Sequence, residues 1–243
     1  MSGRPVEKTG PGGRAEGTGS YDHLAARYDR ISALLGAELR TWLLFHLPAR
    51  GDRALDLGCG TGRPTALLAD RYDEVLAVDL SGPMVEFARR RRPAPNVRYE
   101  QRDLRDVTTD QDGRFDLVFS AYALHHVELD SALHRIRSLV RPGGQVLLVD
   151  VVDDRSAVPR QWLRRQAWRT LAADLRYRRR PLRDAVELLR LQLDPDWLDH
   201  QAGERLRSAA DWDAHCRVVL PGATITPLHR ARALDWRRDP VRR

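Results

Sequence analysis

Lysine is almost missing from this chain. Lysine and arginine together number 41, yet Lys8 is the sole lysine, so the formal net charge of +7 is carried by arginine. A skew of that kind arises from coding bias as readily as from selection for an acidic partner, and the charge alone does not argue for nucleic acid. Aromatic residues make up 7%, and the aromatic-and-basic signatures of RNA-binding modules are absent, so a nucleic-acid partner is not expected. Cysteine is as scarce, with Cys59 inside a glycine-rich stretch and Cys216 far from it. That excludes a disulfide framework and a cysteine-rich zinc site and fits a reducing cytoplasm. No apolar run approaches the roughly 20 residues that span a bilayer. The N-terminus also lacks the apolar centre of a signal peptide, so the expected location is cytoplasmic, away from membranes.

What is present is enough apolar sequence for one sizeable core in 243 residues. Residues 1–19 are rich in Gly, Pro, Arg and Glu and predict a disordered tail, leaving 20–243 as one domain. Ser20 is placed to cap a helix through Asp29, with Tyr21, Leu24, Ala25 and Tyr28 on one face, and a second helix is expected over 34–47. The stretch Asp56-Leu57-Gly58-Cys59-Gly60-Thr61-Gly62 then follows a short apolar run and precedes Arg63-Pro64-Thr65. Strand, glycine turn and helix are predicted in that order, because alternate glycines permit a tight turn with no Cβ between backbone and ligand, and Pro64 suits a first helical turn. Such a turn can hold a nucleoside.

Four more apolar runs follow, Glu74–Asp79, a segment near Val97–Glu100, Phe115–Ser120 and Gln145–Asp150, with helical sequence between them. Asp79 closes its run about 20 residues beyond the glycines, where nucleoside-binding α/β folds place a carboxylate for ribose. Strands that are apolar throughout and alternate with helices predict an α/β fold, a Rossmann-like doubly wound parallel sheet with helices on both faces. Residues 157–215 read as arginine-rich helices on the substrate side, broken at Pro181. Their stripe of Trp162, Leu163, Trp168, Leu171 and Leu175 is read as core or as a homodimer surface, with Trp162, Trp168 and Tyr177 as candidates to line an acceptor pocket. Val218 to Trp236 is expected to form a closing antiparallel hairpin.

Taken in order, Asp56 to Gly62, Val78-Asp79-Leu80-Ser81 with Met84, Asp103-Leu104, Leu124-His125-His126 and Leu139-Val140-Arg141-Pro142-Gly143-Gly144 resemble the successive motifs of class I S-adenosylmethionine-dependent methyltransferases. The resemblance runs over 21–151 and implies a seven-stranded sheet whose last strand is antiparallel. It implies S-adenosyl-L-methionine as cofactor and a small-molecule acceptor. Within the turn that Asp56 opens, Gly58, Gly60 and Gly62 would pass under the methionine and ribose, and Asp79, followed by Leu80, would bind the ribose hydroxyls. Asp103 would accept from the adenine amino group beside the Leu104 backbone, with Met84 packed on the ring. Ser120 and Ala121 would lie near the sulfonium, and Tyr21 would reach the carboxylate. Asp56 and Asp116 have an alternative role as loop anchors.

The expected reaction is methyl transfer by in-line displacement to a small organic molecule at oxygen, with nitrogen and carbon acceptors as alternatives. His125 and Asp150 are the candidate catalytic pair, an imidazole base oriented by a carboxylate at the neighbouring strand end. The alternative role for either histidine is to cap the next helix or hold the loop. No metal is expected, since adjacent histidines do not easily face one ion and no third ligand is evident. Two other functions compete: an RNA or protein methyltransferase that uses Arg176, Arg178, Arg179 and Arg180, and a non-catalytic cofactor-binding partner protein.

Overall fold

The computed structural model describes residues 25–155 and 158–240. The expected tail, the Ser20 cap and Tyr21 lie outside the described residues. Helix α1, Ala25–Leu35, is followed after Gly36 by α2, Ala37–His46. The first helix therefore runs past its expected end at Asp29, and the second begins later than residue 34. The glycine turn lies between β1, Gly51–Leu57, and α3, Arg63–Ala69, as the spacing predicts. The chain continues through β2, Tyr72–Asp79, α4, Gly82–Arg91, and β3, Val97–Gln101. Next come α5, Thr109–Asp112, β4, Phe115–Ala121, α6, Leu129–Leu139, and β5, Val140–Val151. Four helices follow, α7 at Arg160–Tyr177, α8 at Leu182–Gln192, α9 at Pro195–Gly203 and α10 at Ala209–Val219. The hairpin of β6, Thr224–Leu228, and β7, Ala231–Arg237, completes the sheet. Val218 and Val219, expected in this hairpin, instead end α10; β-branched residues fit a strand but do not prevent a terminal helical turn.

The seven strands are ordered β3-β2-β1-β4-β5-β7-β6. β3, β2, β1, β4 and β5 pair in parallel, and β7 runs antiparallel to both β5 and β6. Side chains alternate between faces along a strand, and the buried residues divide accordingly. Leu55, Leu57, Val118, Val146 and Leu148 join the core beneath α6 and α10. Ala54, Leu117, Phe119, Leu147 and Val149 join Trp42, Leu43 and Leu68 on the opposite side. Both faces are covered, which is why these strands read as continuous apolar runs. Each fully buried Leu, Val or Phe contributes about 1.5–3 kcal/mol relative to exposure. The carboxyl ends of β1, β2 and β4 share one edge, and the order reverses between β1 and β4, where α/β sheets open a crevice.

Candidate active site

The glycine turn is fastened to the sheet by its backbone. The Gly58 and Cys59 N–H groups both donate to the Val78 carbonyl, at 2.8 and 3.0 Å. Gly58 has φ +75°, and a Cβ there would stand 2.3 Å from that of Ala123. Gly60 has φ +51°, and its N–H donates to Asp79 Oδ2 at 2.7 Å. The Ser81 N–H donates to Asp79 Oδ1 at 2.9 Å, so a carboxylate at the end of β2 is oriented by two amides. Ser81 also caps α4 through Oγ, which accepts from Met84 N.

A cleft opens above this turn, with Tyr28, Asp79, Met84, Asp103, Tyr122 and His126 in its walls. Gly58, Gly60, Leu80 and Leu104 also line it. Asp103 caps the 3-10 turn Leu104–Asp106 and pairs with Arg105 at 2.6 Å. The Arg105 guanidinium holds the Asp103 carboxyl below the usual carboxylate range, so this acid meets the cleft ionised. Tyr122 has φ +57°, a left-handed conformation costing roughly 1–3 kcal/mol in a residue with a Cβ. Its N–H donates to the Val149 carbonyl. Burial, with the charges of Glu38 and Asp150, pushes the Tyr122 hydroxyl up to about 12.

Four expected cofactor residues are absent from the cleft wall. Asp56 is 1% exposed and accepts from Thr65 Oγ1 at 2.6 Å; burial pushes its carboxyl up to about 7. Gly62 caps α3, and Ser120 donates to the Leu57 carbonyl at 2.8 Å, tying β4 to β1. Ala121 ends β4, and the cleft is bordered by the next two residues, Tyr122 and Ala123. Asp116, on β4, anchors no loop: it accepts from the N–H groups of Asp52 and Arg53 and so ties the start of β1 to β4.

The histidine pair behaves differently from a simple dyad. His125 lies in the 3-10 turn Leu124–His126 after β4, and its Nδ1 is 2.7 Å from Asp150 Oδ1 on β5. Their side chains are 5% and 1% exposed. Burial alone would lower the His125 pKa, and the Asp150 carboxylate outweighs it and raises it. His126, not His125, lines the cleft. The two rings stand 4.0 Å apart between centroids. Glu204, beyond α9, brings Oε1 to 3.8 Å from His125 Nε2 and to 3.2 Å from His200 Nε2. His125, His126 and Glu204 each offer a ligand atom within 4.8 Å of the others. The premise that adjacent histidines diverge and lack a third ligand does not hold in this fold. Sequence reasoning missed Glu204 because it lies some eighty residues from the histidines; its one local signal is the i,i+4 spacing from His200.

Other expected acceptor residues are dispersed. Trp168 and Tyr177 are exposed, and Trp162 is stacked beneath the Arg155 guanidinium. Arg180 is committed to Asp174 and to the Leu34 carbonyl. Among the described residues, no helix is long and apolar enough to cross a membrane.

The cradle fits S-adenosylmethionine: its backbone carries no side chain at Gly58 or Gly60, and the Asp79 carboxylate, Met84 and Asp103 line the same cleft. A family model described as a methyltransferase domain matches residues 54–144. The O-methyltransferase cnsE of Penicillium expansum is 35% identical over 132 residues, 52% of this chain and 45% of its own, so the match spans about half of that relative. An uncharacterized methyltransferase of Mycobacterium bovis, Mb0092, is 32% identical over 199 residues, 80% of this chain and 91% of that protein. The solved DhpI–SAH complex is 26% identical, with a TM-score of 0.60 over 93% of this chain and 96% of that one. Further relatives are named as N-terminal and C-methyltransferases, so the names differ in the acceptor. With the sheet order, the glycine turn, the Asp79 carboxylate and a relative matched over nearly its whole length all in agreement, the chain belongs to the class I S-adenosylmethionine-dependent methyltransferases.

Proposed function

We propose that this enzyme methylates an oxygen of a small organic molecule that enters the cleft beside Tyr122 and His126. The observation that carries this reading is the lining of one cleft, where Asp79, Met84 and Asp103, which we assign to the donor, share the walls with Tyr122 and His126, which we assign to the acceptor. The donor, when bound, supplies an electrophilic methyl group on sulfur. The chain's own residues align the nucleophile with that group and exclude water. Asp79 orients the donor through the ribose hydroxyls, and the glycine turn leaves room for it. Tyr122, kept neutral, donates a hydrogen bond. His126 faces the acceptor in the place first assigned to His125, and Asp150 holds His125 so that the turn carrying His126 is fixed. Here His125 and Asp150 are positioning residues.

The O-methyltransferase name of the Penicillium relative supports oxygen, and of the four arginines assigned to a macromolecular substrate, Arg180 is instead committed to Asp174 and the Leu34 carbonyl. The test is incubation with methyl-labelled S-adenosylmethionine and a fractionated extract. Label is expected in the small-molecule fraction, on an oxygen by mass spectrometry. Label confined to RNA or protein would overturn the proposal.

A further inference from the structure

We infer that His125, His126 and Glu204 form a binding site for a divalent transition-metal cation at the acceptor end of the cleft. A role for that cation in the reaction rests on the function proposed above, whereas its binding does not.

The inference starts from one buried atom. His125 Nδ1 lies 2.7 Å from an Asp150 oxygen, a carboxylate that only accepts, so Nδ1 carries hydrogen and donates. That leaves Nε2 directed toward Glu204. Nε2 is buried and has no hydrogen-bond partner among the described residues, and its side chain is 5% exposed. Glu204 Oε1 stands 3.8 Å away, beyond hydrogen-bonding range. A buried imidazole nitrogen facing a carboxylate oxygen across that gap is matched by positive charge between them, carried either by a second proton on His125 or by a cation. Ligand bonds of about 2.0–2.2 Å from one ion place neighbouring ligand atoms roughly 3–4 Å apart, so the spacing suits a shared cation better than a shared proton.

The surroundings have the form of a metal site. Asp150 behind His125 supplies the carboxylate–histidine contact that fixes the tautomer of a ligating imidazole, and His200 Nε2, 3.2 Å from the same Glu204 Oε1, steadies that carboxylate. His126 completes three ligand atoms within 4.8 Å of one another and borders the cleft, so the open coordination positions are accessible to an acceptor oxygen. Asp150 and Glu204 together bring two negative charges, which a divalent ion balances. Two imidazoles and one carboxylate favour Zn²⁺, Co²⁺, Fe²⁺ or Mn²⁺ over the all-oxygen preference of Mg²⁺ and Ca²⁺. At that position a Lewis acid would polarise a bound hydroxyl beside the donor.

The test uses the full chain, stripped by chelation and titrated with Zn²⁺ against a chromophoric competitor, with Co²⁺ absorption as a second readout. One equivalent should bind. His126→Gln and Glu204→Gln should each weaken it at least about 10-fold, and Asp150→Asn about 10- to 100-fold, the range for a partner behind the ligand. His126 is exposed to the cleft, so its substitution tests the site even if Glu204→Gln fails to fold. His215→Gln, in the separate surface cluster with Asp130 and Asp211, should change nothing. Absence of one-equivalent binding, or binding indifferent to His126→Gln, overturns the inference. S-adenosylmethionine titrated into the same samples separates the two claims: donor binding without metal binding rejects the metal site and leaves the methyl-transfer reading intact, and metal binding without donor binding does the reverse.

Discussion

Asp79 braces the fold at the edge of the cleft proposed for the donor. Two backbone amides, from Gly60 and Ser81, hold it at the end of β2 and join the glycine turn to the start of α4. Asp79→Ala removes a carboxylate acceptor, and hydrogen bonds to charged groups are worth about 1.5–3 kcal/mol, so affinity for S-adenosylmethionine should fall ~10-fold or more. Calorimetry measures it, and unchanged affinity would remove Asp79 from the donor site. The position of this residue was legible because the sequence shows a buried strand ending in an acid at the right distance from the glycines. The roles of Asp56 and Ser120 were not. Both sit on motif positions, yet they turn inward to Thr65 and Leu57, and a motif cannot tell a side chain that meets a ligand from one that braces the loop.

At the scale of elements, α1 supplies part of the cleft wall and is held from two directions. Asp29, beside Tyr28, pairs with Arg63 of α3 at 2.8 Å and with Arg92 after α4 at 2.7 Å. On the other side Arg30 meets Glu187 and Asp184 of α8, and Ile31 packs on Trp197 of α9. Asp29→Ala leaves the half-buried Arg92 without its counter-charge and should loosen α1. Donor affinity should drop several-fold while amide exchange quickens in α1 and stays slow in β1, β4 and β5; unchanged exchange in α1 would detach the helix from this anchor. Burial would raise the Asp29 pKa, but its bonds to Arg63 and Thr61 and the Arg92 charge outweigh it and lower it. The contribution is therefore complete above the ordinary value of 3.8 and disappears as pH falls through the lower folded value. The helices α7 to α10 were the least legible elements. Periodicity predicted an apolar stripe on α7, yet Leu163 is 5% exposed while Trp168 and Leu175 are 57% and 53% exposed. Helical period marks a face, and neighbours decide how much of that face is covered.

For the molecule as a whole, the sheet was legible because its physics is local. Strands covered on both faces must be apolar throughout, parallel strands need crossovers, and the crevice lies where strand order reverses. The cluster of His125, Asp150, His200 and Glu204 was legible only in part, because it joins two strand ends to a helix end that sequence spacing does not bring together. The same architecture couples site to stability. The donor cradle draws on the ends of β1, β2 and β4 and the turns after β3 and β4, so unfolding destroys it and donor binding must stabilise the folded chain by linkage. At a donor concentration 100 times Kd the gain is about 2.7 kcal/mol. A substitution that weakens binding tenfold, as expected for Asp79→Ala, should reduce that gain at the same concentration by roughly 1.3 kcal/mol. Urea unfolding with and without S-adenosylmethionine measures both quantities, provided each transition is two-state. Equal stabilisation of the parent chain and the variant would mean that the donor binds away from Asp79, and no stabilisation of either would mean that the cradle does not hold it.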